Sequence, residues 1–322
     1  MKAEICVILP VYNGGDLLEQ SIRSVLKQDF ENFEFLICDD CSTDNSYERI
    51  VNLVQHLNFV KIYRNERNLG LFKTLNKLIH ESTAPLIHLW SQDDVMKPHC
   101  LSSTLTFHRR YPSISMSYSG RDIIDQTGKV LQLNKRDGTP DIIPKELYAK
   151  TSCYWGCMPG NIANVTLVRD VLNQTDLFRE DMSVSGDFEL WTRLVQHAPI
   201  GFNRDANIFL REHTNQLSRQ YISMLYRIEE DILIMQSLLT MVSAADTKKV
   251  LRCWKWKTQT MYFNELVFLF YKKQYMLSRS GFRLLSEIAF LPALCYRWLL
   301  IKIFRVLRIE MWFYRKVLKT LN

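Results

Sequence analysis

The chain has 322 residues, enough for one large domain with an appendage, and its 47% hydrophobic and 23% charged residues describe a folded protein rather than a disordered one. A net charge of +7 hides an asymmetry: residues 251–322 carry 14 Lys/Arg against three Glu, so the preceding 250 residues are mildly acidic. An acidic body with a basic tail argues against a whole-chain nucleic-acid binder.

In chain order, Ile5 to Leu9 is a short β-branched run. Asp16 to Leu26 reads as a helix, with Leu17, Leu18, Ile22, Val25 and Leu26 on one face. Phe33 to Cys38 is a second strand, and Ser42, Thr43 and Asp44 offer capping oxygens to a helix running through Tyr47, Ile50, Val51, Val54 and Leu57. Phe59 to Tyr63 is a third strand, Leu71 to Ile79 a helix, Pro85 to Leu89 a fourth strand and Lys97 to Arg110 a helix. This alternation implies βαβ units, a parallel sheet covered on both faces and ligands outside the carboxyl ends of its strands.

Beyond Tyr118 the pattern loosens, with a turn at Asp125-Gln126-Thr127-Gly128. Residues 150–165 read as a loop or short connection, and helical periodicity resumes over Phe188 to Val195, followed by a strand at Ile208 to Arg211. From about Gln220 the sequence reads as helical to the end, with breaks expected near Ser278–Gly281 and at Pro292. The expected division is therefore residues 1–220 for the catalytic domain and 221–322 for a helical extension. Pro10, Asn13 and Asp16 interrupt the first apolar run, which excludes a signal-peptide reading of it, and the eight cysteines lack zinc-type spacing. Reduced thiols in a cytoplasmic compartment are the expectation.

The strand ends carry the chemistry. The first ends in Pro10-Val11-Tyr12-Asn13, the second in Asp39-Asp40 and the fourth in Ser91-Gln92-Asp93-Asp94. Two adjacent carboxylate pairs on one sheet edge repel each other unless a cation joins them. No glycine-rich phosphate loop is present, so a phosphate ligand would be held through a divalent ion, Mg²⁺ or Mn²⁺. A strand-end or N-capping role for any one Asp is the plainer alternative, and it weakens once two pairs fall at neighbouring strand ends.

Val7 to Asn13, then Ser21 to Gln28 (SIRSVLKQ), then Phe35 to Asp44 (FLICDDCSTD) resemble the opening of family 2 glycosyltransferases. Arg67-Asn68-Leu69-Gly70 with Asn76, Gln92-Asp93-Asp94 and Ser185-Gly186-Asp187-Phe188-Glu189-Leu190-Trp191 follow in that family's order. The resemblance implies an α/β, Rossmann-like GT-A nucleotide-sugar-binding domain. Pro10, Val11 and Tyr12 would frame the base, Asp40 would accept a hydrogen bond from a uracil or thymine ring, and Asn13, Gly70 and Gln92 join the donor-binding set. Asp93 would ligate the metal, Asp94 is a second candidate ligand, and His213 matches a late His that completes the metal shell in some members. Asp187 would be the catalytic base of an inverting transfer from a UDP- or dTDP-sugar to a glycan or lipid-linked acceptor. The chain departs from the pattern at Ser91 and Gly186, where the family carries Asp and Glu.

Trp155 offers a flat face to an acceptor sugar, or else packs structurally. In the tail, cations recur between apolar residues from Leu299 to Lys319, a pattern that suits an anionic membrane surface and implies peripheral attachment at the cytoplasmic face. A nucleotidyltransferase would need a basic phosphate loop after the first strand, which Val11 to Asp16 lacks. A non-catalytic carbohydrate-binding or scaffold relative is the remaining alternative. Nucleic-acid binding by so apolar a tail is not expected.

Overall fold

The computed structural model describes residues 2–135, 138–212 and 221–309. It divides into two compact units, Met1–Lys145 with Pro159–Asp181 and Glu189–Thr214, and Glu146–Met158 with Met182–Phe188 and Asn215–Asn322. Two short segments from the first 220 residues thus group with the C-terminal helices.

The first unit holds every strand among the described residues. Its first half is β1 (Ile5–Val11), α1 (Leu18–Leu26), β2 (Phe33–Asp39), α2 (Ser46–Val54), β3 (Val60–Arg64), α3 (Leu71–Glu81), β4 (Leu86–Leu89), β5 (Val95–Met96) and α4 (Cys100–Arg110). There follow β6 (Met116–Ile124), β7 (Val130–Gln132), β8 (Ile142–Ile143), α5 (Lys145–Trp155, mostly in the second unit), β9 (Val165–Val168), α6 (Arg169–Leu172), α7 (Gly186–His197, shared between the units) and β10 (Ile200–Arg211). The sheet runs β3-β2-β1-β4-β9-β6-β10-β5, with β7 on β6 and β8 on β10.

Strands β1 to β4 are mutually parallel where they pair, whereas β9 runs antiparallel between β4 and β6. Connections go outward from β1 through β2 to β3, then return to place β4 on the other side of β1. That reversal makes the carboxyl edge between β1 and β4 a topological switch point, where open α/β sheets bind ligands. The seven residues of β1 are all buried, since both faces of the strand are covered. Helix α1 closes over the sheet through Leu18, Ile22 and Val25, which join Val7, Leu9, Phe35 and Ile37 in one core.

The polar residues of SIRSVLKQ also have a structural task. Ser21 Oγ donates to the Ser91 carbonyl (2.7 Å) and accepts from Trp90 Nε1 (2.8 Å), and Ser24 Oγ accepts from Met96 N (2.9 Å). Gln28 accepts from Leu101 N (3.0 Å) and donates to the Lys97 carbonyl (2.8 Å). Helix α1 thereby fixes the backbone on both sides of Ser91–Asp94.

Three expectations need correction. Residues 150–155, expected to open a loop or short connection over 150–165, instead belong to the helix Lys145–Trp155, because Tyr148, Ala149, Ser152 and Cys153 supply a buried face at helical spacing. The strand expected at Ile208–Arg211 begins eight residues earlier, at Ile200, because the alternating polar residues of β10 pair along β6. No break occurs at Ser278–Gly281.

The second unit comprises α8 (Tyr221–Thr240), α9 (Ala244–Trp256), α10 (Thr258–Tyr271), α11 (Tyr275–Ile288) and α12 (Leu291–Val306), together with α5. Gly281 lies inside α11 because a Cβ there would meet Leu266 of α10 at 2.2 Å; close helix packing, not a helix break, requires the glycine. Pro292 occupies the first turn of α12, where its missing N–H costs nothing. Tyr262, Leu266, Leu285 and Leu294 centre this core. Among the described residues no single helix is long and apolar enough to cross a membrane; α11 and α12 qualify together only across a 105° bend. The basic stretch from residue 310 onward lies outside the described residues.

Candidate active site

At the end of β1 the backbone turns sharply, with Asn13 in the left-handed region (φ 49°), which Asn tolerates well. Asn13 Oδ1 accepts from Thr43 N (2.8 Å) and from Asp44 N (3.4 Å), while Asn13 N donates to Ser42 Oγ (3.0 Å). Gly14 N donates to Ser46 Oγ at 2.9 Å. The loops after β1 and β2 are therefore tied together before any ligand arrives. Asp44 Oδ1 accepts from Ser46 N (3.0 Å) at the start of α2; the N-cap itself is Asn45, one residue beyond the expected Ser42–Asp44, and its side chain makes no capping bond. Pro10 and Val11 are buried in the strand, and the Tyr12 side chain is 43% exposed above it.

Gln92 reaches back to that tyrosine. Its Oε1 accepts from Tyr12 N (2.9 Å) and its Nε2 donates to the Tyr12 carbonyl (3.1 Å), which joins the ends of β1 and β4 across the switch point.

Asp40 is buried, and its carboxylate is shared among three donors: Leu69 N, Gly70 N and Asn65 Nδ2, each at 2.8 Å. It holds the Asn65–Gly70 loop against the strand ends. Gly70 has φ 89° and ψ 165°, a region open essentially to glycine alone, and this geometry turns its N–H toward Asp40. Asp39 is fully buried; its Oδ2 accepts from Ser42 N (3.1 Å) and meets Arg64 Nε at 3.3 Å, while Oδ1 has no partner.

At the end of β4, Asp93 is half-buried and Asp94 is buried behind it. Ser91 Oγ donates to Asp93 Oδ1, so the hydroxyl stands against the candidate metal-ligating carboxylate at the position where the resemblance expected Asp. Asp94 Oδ1 accepts from Arg211 N (2.8 Å). Burial, followed by the neighbouring Asp93 charge, pushes the Asp94 carboxyl up to about 8. Two carboxylates whose joint ionisation is opposed in this way suit a divalent cation, and Mg²⁺ is commonly held by one or two carboxylates plus substrate phosphates. The donor set fits such an ion as an incomplete site: among the described residues no three His, Cys, Asp or Glu side chains converge, and His213 lies outside the described residues.

Sequence reasoning missed the role of Arg211. It is 1% exposed, and its guanidinium donates to the carbonyls of Asp93 (2.8 Å), Asp125 (3.0 Å) and Gln126 (2.9 Å) and to Gln20 Oε1 (2.7 Å). One buried cation thus clamps the Ser91–Asp94 loop to the β6–β7 turn and to α1. An Arg at the end of the apolar run Ile208–Leu210 was the available signal.

In the second unit, Asp187 heads α7, half-buried, with its Oδ1 accepting from Phe188 N (2.7 Å). Burial raises its carboxyl to about 6, and the charges of Asp231 and Glu230 add to the rise. Glu230 accepts the N–H groups of Ser183 (2.5 Å), Val184 (3.0 Å) and Ser185 (2.5 Å), which fixes the approach to Asp187. Asp231 is held by Ser185 Oγ (2.8 Å) and Tyr262 Oη (2.5 Å). These two acids of α8, more than 40 residues away in sequence, tune the Asp187 environment, and nothing in the local motif announces them. Trp155 is 61% exposed, but the Lys257 ammonium lies 3.5 Å from its ring centroid and 4.2 Å from that of Tyr154. A cation already covers one face of the indole.

The architecture is the Rossmann-like GT-A fold. It is shared with S. aureus TarS residues 1–349, whose complex with UDP-GlcNAc superposes with a TM-score of 0.61 at 19% identity over 83% of this chain and 80% of that one. The mannosyltransferase PcManGT from Pyrobaculum calidifontis, in complex with GDP-Man and Mn²⁺, gives 0.58 at 12% identity over 100% of this chain and 87% of that one. Residues 6–163, just under half of the chain, match the sequence model of glycosyl transferase family 2.

Similar relatives include an uncharacterized glycosyltransferase of Rickettsia felis, 25% identical over 217 residues, which cover 67% of this chain and 35% of that protein. An uncharacterized glycosyltransferase of Haemophilus influenzae is 24% identical over 220 residues, covering 67% of this chain and 68% of its own length. The match thus spans little more than a third of the rickettsial relative.

Proposed function

We propose that the protein is an inverting glycosyltransferase that moves a sugar from a nucleoside-diphosphate donor to a hydroxyl of a glycan or lipid-linked acceptor. The observation that carries the reading is the assembly of donor-site motifs at the β1–β4 switch point: Tyr12 exposed at the strand end, Gln92 bridging the strands, Asp40 organising the Gly70 loop and Asp93 at the rim. Tyr12 is the residue offered to a nucleobase; Pro10, Val11 and Asn13 set its position, and a UDP- or dTDP-sugar is the donor class.

Asp93, with Asp94 and His213 as further ligands, would hold the divalent metal, Mg²⁺ or Mn²⁺. When bound, such an ion supplies positive charge to the donor diphosphate. Asp187 is the base: near neutral pH a carboxyl raised to about 6 is largely ionised yet more basic than an ordinary aspartate. It takes the proton of the acceptor hydroxyl as the new C–O bond forms, and the nucleoside diphosphate leaves from the opposite face of the anomeric carbon. The C-terminal helices attach the enzyme to the cytoplasmic face of an anionic membrane.

Donor hydrolysis and transfer across a panel of UDP-, dTDP- and GDP-sugars test the reading. A productive donor should be found, and Asp187→Asn should slow its transfer about 10²- to 10⁴-fold while retaining donor binding. A folded protein inert toward every donor would move the non-catalytic relative into first place.

A further inference from the structure

The segment that leads into Asp187 hangs on helix α8. Glu230 accepts from the N–H groups of Ser183 (2.5 Å), Val184 (3.0 Å) and Ser185 (2.5 Å), and it is buried. The next residue, Asp231, is shared between two hydroxyls: Oδ1 accepts from Ser185 Oγ (2.8 Å) and Oδ2 from Tyr262 Oη of α10 (2.5 Å). Tyr262 has no exposure at all. A chain of two hydrogen bonds therefore runs from the core of the helical unit to the residue two positions before Asp187.

A tie between α8 and α10 would account for the Asp231–Tyr262 bond alone. That tie exists without Asp231, because Arg227 of α8 already donates to both carboxylate oxygens of Glu265 on α10 (2.8 and 2.7 Å). It also leaves unexplained why Glu230 and Asp231 direct three of their four oxygens at residues 183–185. Two adjacent acids beside a third carboxylate repel one another, and burial raises the Asp231 carboxyl as well. A segment that needed only to be anchored could be held by neutral acceptors without that repulsion.

The charged and titratable groups around Asp187 and Asp231, among the described residues, are Arg227 and Glu230 from α8 and Tyr262 and Glu265 from α10. Arg227 is engaged by Glu265, so it offsets the charge of Asp231 only in part. We propose that Asp231 is a positioning residue for Asp187: with Glu230 and Tyr262 it fixes the start of α7 and keeps a negative charge beside the base. The C-terminal helices then belong to the reaction centre and are more than an attachment. The proposal rests on Asp187 as the base of the transfer inferred above and assigns the groups that hold that base and set its working pH.

The test compares full-chain wild type, Asp187→Asn, Asp231→Asn, Ser185→Ala and a control, Leu269→Ala. Leu269 is buried on α10 about two turns beyond Tyr262, so its truncation loosens the same unit without touching the chain. Circular dichroism verifies folding. The readouts are kcat and donor KM across pH, and the carboxyl ¹³C titration of Asp187, identified as the signal lost in Asp187→Asn. Asp231→Asn can keep both hydrogen bonds but removes the charge. Ionisation of Asp187 then becomes easier, so its titration and the acid limb of kcat should both move from about 6 toward the ordinary 3.8. Ser185→Ala keeps the charge but cuts the link, and should lower kcat about tenfold or more with donor KM unchanged. Leu269→Ala should lower the thermal midpoint and leave kcat and the acid limb as in the wild type.

Equal kcat losses in Leu269→Ala and Ser185→Ala would reduce the effect to loosening of the helical unit and overturn the proposal. An unmoved titration and acid limb in Asp231→Asn, with Asp187→Asn still slow, would overturn it too while leaving Asp187 as the base. Wild-type transfer by Asp187→Asn, or no transfer by the wild type, would instead remove the base reading and this proposal with it.

Discussion

Replacing Asp187 with Asn should make the protein more stable at slightly alkaline pH while removing its proposed activity. The native carboxyl stands at about 6 against an ordinary 3.8, a gap of roughly two pK units. Each unit corresponds to about 1.4 kcal/mol, so ionising Asp187 in the folded state costs up to about 3 kcal/mol, and the residual exposure of the side chain makes this an upper figure. The sign follows from proton binding. Between pH 3.8 and about 6 the native state holds a proton that the unfolded chain releases, so this group favours folding below 3.8 and loses that contribution as pH rises through about 6. Asparagine preserves the shape and can still accept from Phe188 N without carrying the charge.

The assay is urea denaturation of wild type and Asp187→Asn at pH 8 and at pH 4. The variant should unfold at higher urea at pH 8, and the difference should shrink toward zero at pH 4. A variant that is less stable at pH 8, or an advantage of equal size at both pH values, would refute the assignment of a desolvated, charge-crowded carboxylate.

Other substitutions probe the scaffold of the proposed donor site. Arg211→Met removes a buried cation from four oxygen acceptors and should cost about 3–5 kcal/mol in denaturant unfolding, together with metal-dependent nucleotide binding. Asp40→Ala strips the acceptor from Leu69 N, Gly70 N and Asn65 Nδ2; a loss of about 2–4 kcal/mol and weaker nucleotide binding by calorimetry are expected. Gly70→Ala meets no atom within 4 Å, so its cost is backbone strain alone, about 1–3 kcal/mol in thermal or urea unfolding.

The parallel half of the sheet was readable because its strands are short apolar runs separated by helices with one buried face, as in β1, α1 and β2. That the strand-end motifs proposed for the donor site gather at one edge was readable for a related reason: each sits in the few residues after a strand, and parallel topology alone brings those residues together. What escaped depends on distance in sequence. Arg211 acts on Asp93, 118 residues away, and Glu230 acts on Ser183, 47 residues away, so neither local pattern contains its partner. Strand β6 was obscured because Ser117, Ser119 and Asp122 are buried polar residues, satisfied by His108, by their own backbone and by Lys97, where hydrophobic periodicity expects apolar side chains. Gly281 was misread because a glycine that admits a neighbouring helix is indistinguishable, in sequence, from one that ends its own.

The most direct test of the central claim is a calorimetric titration of the wild type and Asp93→Ala with UDP, with and without Mn²⁺, repeated with dTDP and GDP. A metal-bridged donor site predicts binding that strengthens with Mn²⁺ in the wild type and loses that dependence in the variant. Absence of binding to all three nucleotides by folded wild type, or an unchanged metal response in Asp93→Ala, would contradict it.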